Sequence, residues 1–412
     1  MAELPMGPHP GERTSERRAE NSCASVAPRP ELEAKSHFST HSGWHYLHRK
    51  LSQHSPQRAM NKELSLPDLV REGCEAVVLQ SRYVRINDEA LHLFAREMNE
   101  TPVSPSASWG SWHFDCDAHI GGPLTAQYVF VLDCLNFCFW PSDSGCEYDA
   151  LAAGLRSALV ADPNALSAEI LCSATAETIS SWVAKPHTLP FLETRAARVR
   201  ELGHALLKQP YCGLAANVVN AACGSASKLA ALVAEMCPGF RDEAVYVGGS
   251  DGAPRLVPFY KRAQILAGDI WVAYGKQVIT ERSSSSSSSS SGMTATRTLE
   301  LGAFYDIDHL TAFADYRLPQ LLRARGVLIY TKDLADAVDN KVELLHGSPQ
   351  EVEIRANTVI IVERLKKEMM AASTNKIIVT SVELDHMLWH LGETLAIEGK
   401  LAPHHRVRTV FY

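Results

Sequence analysis

The chain has 412 residues, 46% of them hydrophobic, and 40 Lys+Arg against 47 Asp+Glu, a formal charge of −7. That balance excludes the broad basic footprint of a nucleic-acid-coating protein, and no apolar run, 128–134 included, approaches the ~20 residues that cross a bilayer. The ten cysteines form no CxxC, so no zinc ribbon or thioredoxin motif is present. Glu3, Glu12, Glu16 and Glu20 with no apolar core between them fit neither a secretory signal nor a transit peptide. The expectation is a soluble protein of a reducing, cytoplasmic compartment.

Residues 1–60 are polar, rich in Pro, Ser and His, and show no sustained period, which predicts a disordered extension. A first helix follows Ser65 as cap, with Pro67 and Asp68 in its first turn and Leu69, Val70, Cys74, Val77 and Val78 on one face. A second follows Asn87, with Leu91, Phe94, Ala95 and Met98. Residues 102–112 read as a loop. The nearly unbroken apolar stretch Tyr128–Trp140 predicts a buried helix carrying Asp133 and Asn136. Pro190–Lys208 predicts an amphipathic helix. Another is expected after Ser227 as cap, ending at Pro238-Gly239, and then a hairpin over Ala244–Val257 turning at 248–252. Phe259–Ala273 predicts a strong helix. Asp308–Gly326 keeps helical spacing with Pro319 inside, Glu351–Met370 and Ser381–Ile397 predict two more helices, and Val407–Tyr412 an extended tail. The total is about ten helices and few strands. The fold class is therefore mainly α, one large helical domain over 65–412 with a few short strands and a serine-rich insert at about 277–300 built on nine consecutive serines.

Two sets of residues carry candidate chemistry. The first is His113, Asp115, Cys116, Asp117 and His119. Two imidazoles and two carboxylates within seven residues suit zinc or a harder divalent ion, as in a metal-dependent phosphohydrolase, and suit a polar loop as well. The second is Asp269, Asp315 and Asp385, single carboxylates inside apolar helical patterns, where burial demands a partner or a function. Structurally, Asp315 reads as a helix cap or a partner of Arg317, and Asp269 as a partner of Lys261 or Arg262. No GxGxxG, GxxxxGK[ST] or GxSxG occurs, so no common nucleotide-binding or serine-hydrolase motif is present.

Five segments in order, 129–140, 259–271, 308–320, 350–355 and 405–412, resemble the queuosine salvage protein family, and the resemblance runs from about Ser65 to Tyr412 outside the serine insert. It implies an N-glycosidase that hydrolyses queuosine 5′-monophosphate and releases queuine, a modified 7-deazaguanine, for reinsertion into tRNA. It also implies a fold similar to the helix-hairpin-helix DNA glycosylases. This chain lacks their LPGVG hairpin, which puts duplex binding in doubt. On this resemblance Asp315 is the expected catalytic carboxylate. His113 and Asp385 are expected against the base, Phe137, Phe313 and Trp389 as apolar walls, and Lys261, Arg262 and Arg317 at the 5′-phosphate, with Ala314 and Asp269 as further binding positions. The expected partner is a small-molecule nucleotide, with no cofactor, metal, direct nucleic-acid contact or membrane. A non-enzymatic binder of modified nucleosides stays open beside the enzyme and the metal-dependent phosphohydrolase.

Overall fold

The structure is a computed structural model that describes residues 64–100, 113–141, 147–183, 187–248, 252–279, 300–372 and 379–412. The extension over 1–60, the loop at 102–112, the hairpin tip and most of the serine insert lie outside the described residues. The described body is mainly helical.

Helix α1 (Leu66–Val78) starts as its sequence dictates. The Ser65 hydroxyl accepts from the Asp68 N–H, the Asp68 carboxylate accepts from the Ser65 N–H, and Leu66, Val70, Cys74 and Val77 are buried. Strand β1 (Val84–Ile86) leads into α2 (Asp88–Glu100), where Asn87 Oδ1 accepts from Ala90 N at 3.3 Å. Next come α3 (Pro123–Leu135), α4 (Tyr148–Ala161), α5 (Ala168–Cys172), α6 (Ala176–Ser181), α7 (Leu192–Leu207), α8 (Ala215–Ala221) and α9 (Ala226–Met236). Strands β2 (Glu243–Tyr246) and β3 (Arg255–Pro258) form an antiparallel pair, Glu243 opposite Pro258, the expected hairpin. Helix α10 (Lys261–Ala273), α11 (Arg317–Ala324), β4 (Leu328–Tyr330), α12 (Lys332–Asp339), α13 (Pro349–Ala372) and α14 (Ser381–Ile397) complete the body. Strand β4 pairs antiparallel with β1, Ile86 opposite Leu328.

Helix α13 is the axis. It is buried on nearly all sides, as a helix with no polar stripe must be. Val352, Ala356 and Val359 join a large apolar cluster with α1, α3, α7, α9 and α10. Ile354, Ile361 and Leu365 join a second with α2, α11, α12 and part of α14. Its Glu353 is satisfied inside, accepting from the N–H groups of Arg82, Tyr83 and Val84 at 2.7–3.1 Å and from the Tyr246 hydroxyl at 2.9 Å. Among the described residues no helix is long and apolar enough to cross a membrane, and the eight described cysteines are free thiols.

Several expectations need correction. The Tyr128–Trp140 helix stops at Leu135, and 136–140 is irregular, with Cys138 at φ 38°. Two buried arginines explain the stop. Arg262 donates to the carbonyls of Asp133 and Cys134, and Arg195 to those of Leu135, Phe137 and Cys138, sealing the helix C-terminus against its dipole. Ser225, not Ser227, caps α9, accepting from Lys228 N at 3.0 Å. The α10 helix begins at Lys261, because Tyr260 is left-handed at φ 49°. The 308–326 segment is not one helix: after a 3-10 turn (Ile307–His309), 310–315 run without regular structure into α11. Pro319 therefore sits in the first turn of α11, where its missing N–H leaves nothing unpaired. Helices α4, α5, α6, α8 and α12 and the β1–β4 pair were not anticipated. The tail Val407–Tyr412 has no regular secondary structure, and Val407 and Tyr412 are buried, as expected of a tail packed on the body.

Candidate active site

The corrected ends of α3 and α11 border one cavity of about 1000 Å³ counted to its mouth, a volume that suits a small-molecule ligand. Helix α10 presents Lys261, Ile265, Asp269 and Val272 to it, and α14 presents Asp385, His386, Trp389, His390 and Glu393. The α3 exit contributes Asn136–Phe139, the entry to α11 contributes Phe313, Asp315 and Tyr316, and Glu147 and Tyr148 come from the start of α4. His113 and Tyr412 close it.

Asp315 is 8% exposed and stands at the N-terminus of α11. Its Oδ1 accepts from the N–H groups of Arg317 (2.8 Å) and Leu318 (2.9 Å). The helix N-terminus favours negative charge there. Asp385 Oδ1 accepts from Phe313 N at 2.7 Å, which ties α14 to the peptide two residues before Asp315. Burial raises the Asp385 carboxyl well above its usual range, against the Phe313 N–H. Burial likewise pushes Asp269 up to about 7, with Lys261 opposing. Asp133, fully buried behind Asp269, is raised by burial and by Asp269 itself. Lys261 is lowered by burial, with Asp315 the largest opposing charge. The cavity wall is thus a set of carboxyls around one ammonium, and two of them, Asp269 and Asp385, hold their protons to unusually high pH.

His386 Nε2 lies 3.8 Å from Asp269 Oδ1. Burial lowers His386 to about 4, so at neutral pH the imidazole is uncharged and this contact is not an ion pair. The apolar and aromatic walls are Phe137, Phe313, Tyr148 and Trp389, the last two edge-on at 6.2 Å. His113 Nε2 is 2.9 Å from the Tyr148 hydroxyl, which burial keeps protonated.

Of the residues singled out by sequence, the cavity gathers His113, Phe137, Lys261, Asp269, Phe313, Asp315, Asp385 and Trp389. Ala314, Arg262 and Arg317 do not line it. Arg262 seals α3, as above. Arg317 donates Nε to Glu393 at 2.6 Å and Nη1 to Gln320 at 2.6 Å, so Asp315 meets its backbone N–H and not its side chain. Among the described lining residues Lys261 is then the one Lys or Arg. The supposed metal cluster also comes apart. Asp117 caps α3, accepting from the N–H groups of Leu124 (2.8 Å) and Thr125 (2.9 Å) and from the Thr125 hydroxyl. Asp115 and His119 are exposed, and among the described residues no three His, Cys, Asp or Glu side chains gather as a metal site.

Glu147, Tyr148, Tyr316, His386, His390, Glu393 and Tyr412 were not anticipated. For three of them a signal existed: His386, His390 and Glu393 fall near Asp385 and Trp389 at i, i+1, i+4, i+5 and i+8, one face of α14. The rest are brought in by tertiary packing alone.

Residues 117–283 and 292–412 match the family model described as queuosine salvage protein. A Dictyostelium discoideum relative named queuosine 5′-phosphate N-glycosylase/hydrolase is 38% identical over 353 residues, 84% of this chain and 98% of its own length. Relatives bearing the same name from Sphaerobacter thermophilus (34% over 345 residues, 82% and 95%) and Mus musculus (30% over 366 residues, 83% and 98%) extend the likeness.

Proposed function

Because this chain belongs to the queuosine salvage protein family, we propose that it is an N-glycosidase that hydrolyses queuosine 5′-monophosphate to queuine and ribose 5-phosphate. The observation that carries the reading is a helix-capping carboxylate, Asp315, opening onto an aromatic-walled cavity in which burial raises the Asp269 and Asp385 carboxyls.

Cleaving the C1′–N9 bond builds positive charge on the ribose. A fixed carboxylate stabilises that oxocarbenium or captures it, and water then completes the hydrolysis. The Asp315 Oδ1 is held by α11, which leaves the other oxygen for the sugar. A 7-deaza base has carbon in place of N7, so it leaves without the N7 protonation open to guanine. Donors to its remaining acceptors must take the developing negative charge, and a protonated Asp385 or Asp269 is a donor of that kind. Phe137, Phe313 and Trp389 suit the flat base. Lys261 suits the 5′-phosphate and is the member of the expected cationic trio that faces the cavity.

The test is direct. Purified protein incubated with queuosine 5′-monophosphate, with and without EDTA, is expected to release queuine equally in both. No base release in either would end the reading, and release abolished by EDTA would return the argument to metal chemistry.

A further inference from the structure

Arg355 does not line the cavity, yet it is fully buried on α13 and its partners reach three of the cavity walls. Its Nη1 and Nη2 grip both oxygens of Asp242 at 2.9 and 2.6 Å, and its Nε donates to the Ala314 carbonyl at 3.1 Å, the peptide that precedes Asp315. Its Cζ lies 4.0 Å from the centroid of the Phe259 ring and 4.3 Å from that of the Tyr412 ring.

Each partner passes the constraint forward. Asp242 Oδ2 accepts from Lys261 N at 3.1 Å, fixing the start of α10. The Tyr412 hydroxyl donates to Glu351 Oε1 at 3.0 Å, itself 3.7 Å from Arg355 Nη1, and the Tyr412 carbonyl accepts from Cys138 N at 3.0 Å. One guanidinium therefore sets the relative positions of Asp315, Lys261 and the Phe137–Phe139 wall. These segments come from distant parts of the chain.

We infer that Arg355 is a positioning residue for the glycosidase reaction: its fork holds the Asp315 carboxylate and the Lys261 ammonium in register across the cavity. The inference rests on the glycosidase reading above. Stability alone is a poor reason for such a group, because buried ion pairs are often replaced by apolar residues without loss. Alignment is a better one, because only a planar, five-donor cation reaches a bidentate carboxylate and a third carbonyl together while packing against two aromatic rings.

Arg355→Lys keeps the charge and loses the fork. It is expected to lower kcat at least tenfold while KM stays within threefold, the pattern of reacting groups misplaced by a fraction of an ångström in an otherwise intact pocket. Asp242→Asn weakens the same fork from the other side and is expected to show the same split, so the inference stays testable if Arg355→Lys does not fold. Ile361→Ala, a core truncation on the same helix, supplies the control: at a comparable fall in Tm its kcat should remain that of the wild type. The inference is overturned if both fork variants turn over within twofold of wild type, if their loss lies in KM, or if Ile361→Ala loses kcat in parallel. A wild-type protein that releases no base would instead remove the glycosidase reading, and this inference with it.

Discussion

Asp315 divides its labour between its two oxygens. Oδ1 caps α11, and Oδ2 has no protein donor among the described residues. Asp315→Asn keeps an acceptor for the cap and removes the charge, so kcat for base release is expected to fall on the order of 10³-fold with little change in Tm. Asp315→Ala should lose activity equally and in addition about 1 kcal/mol of stability, the usual worth of an N-cap. A Tm scan beside the turnover assay separates the two variants. Asp269 offers a second residue-scale expectation. Its carboxyl keeps its proton up to about 7 in the folded protein against 3.8 when unfolded. Between those values the folded state binds more protons, so stability falls as pH rises. Asp269→Asn does not titrate. Its Tm advantage over wild type should grow from pH 4 to about 7 and then level off, and an advantage independent of pH would refute the assignment. Asp269, Asp315 and Asp385 were singled out in the sequence as lone carboxylates among apolar residues, and the structure brings all three to the cavity wall. Arg262 and Arg317, expected at the 5′-phosphate, do not line the cavity, because a charge in a sequence carries no direction. Both turn to carbonyls, amides and a carboxylate that only the fold brings near.

Helices with local instructions were read well. The Ser65 and Asn87 caps and the apolar spacing behind them place α1 and α2 within a residue or two. The failures come where the decisive partner is remote. Nothing within 128–140 says that Arg195 and Arg262 will claim the last carbonyls of α3, and nothing within 308–326 says that Asp385 will hold the Phe313 peptide in an irregular segment. The three-residue strands β1 and β4 are too short for a period and pair across more than 240 positions. Close approach between elements is equally invisible in sequence. A Cβ at Gly154 in α4 would lie 1.7 Å from the Trp182 carbonyl oxygen, backbone that cannot swing away. Gly154→Ala is therefore expected to destabilise by roughly 3 kcal/mol or more in denaturant melts, at or beyond the upper end of overpacking, despite the better helix propensity of alanine.

At the scale of the molecule, the family match passes over 284–291, within the serine run, and the Dictyostelium discoideum relative spends 98% of its length on 84% of this chain. Deleting residues 1–60, or the nine serines, is accordingly expected to leave kcat and Tm within experimental error, and a large loss in either would assign that segment to the working body. The domain reading from sequence rested on composition and on the resemblance. The two apolar clusters on either side of α13 were not foreseeable, because residues two positions apart on that helix, Val352 and Ile354 or Val359 and Ile361, serve different clusters.

That division bears on what a ligand does to the protein as a whole. The cavity takes α10 from one cluster and, through α14, a helix whose Leu384 and Leu388 belong to the other. A bound nucleotide or its base would add a second seam between two regions that α13 already joins. At a hundredfold excess over Kd it adds about 2.7 kcal/mol to the folded state. Hydrogen exchange should then slow along α10 and α14 together, so that occupancy of the site is heard as one lengthened rhythm in both halves of the molecule.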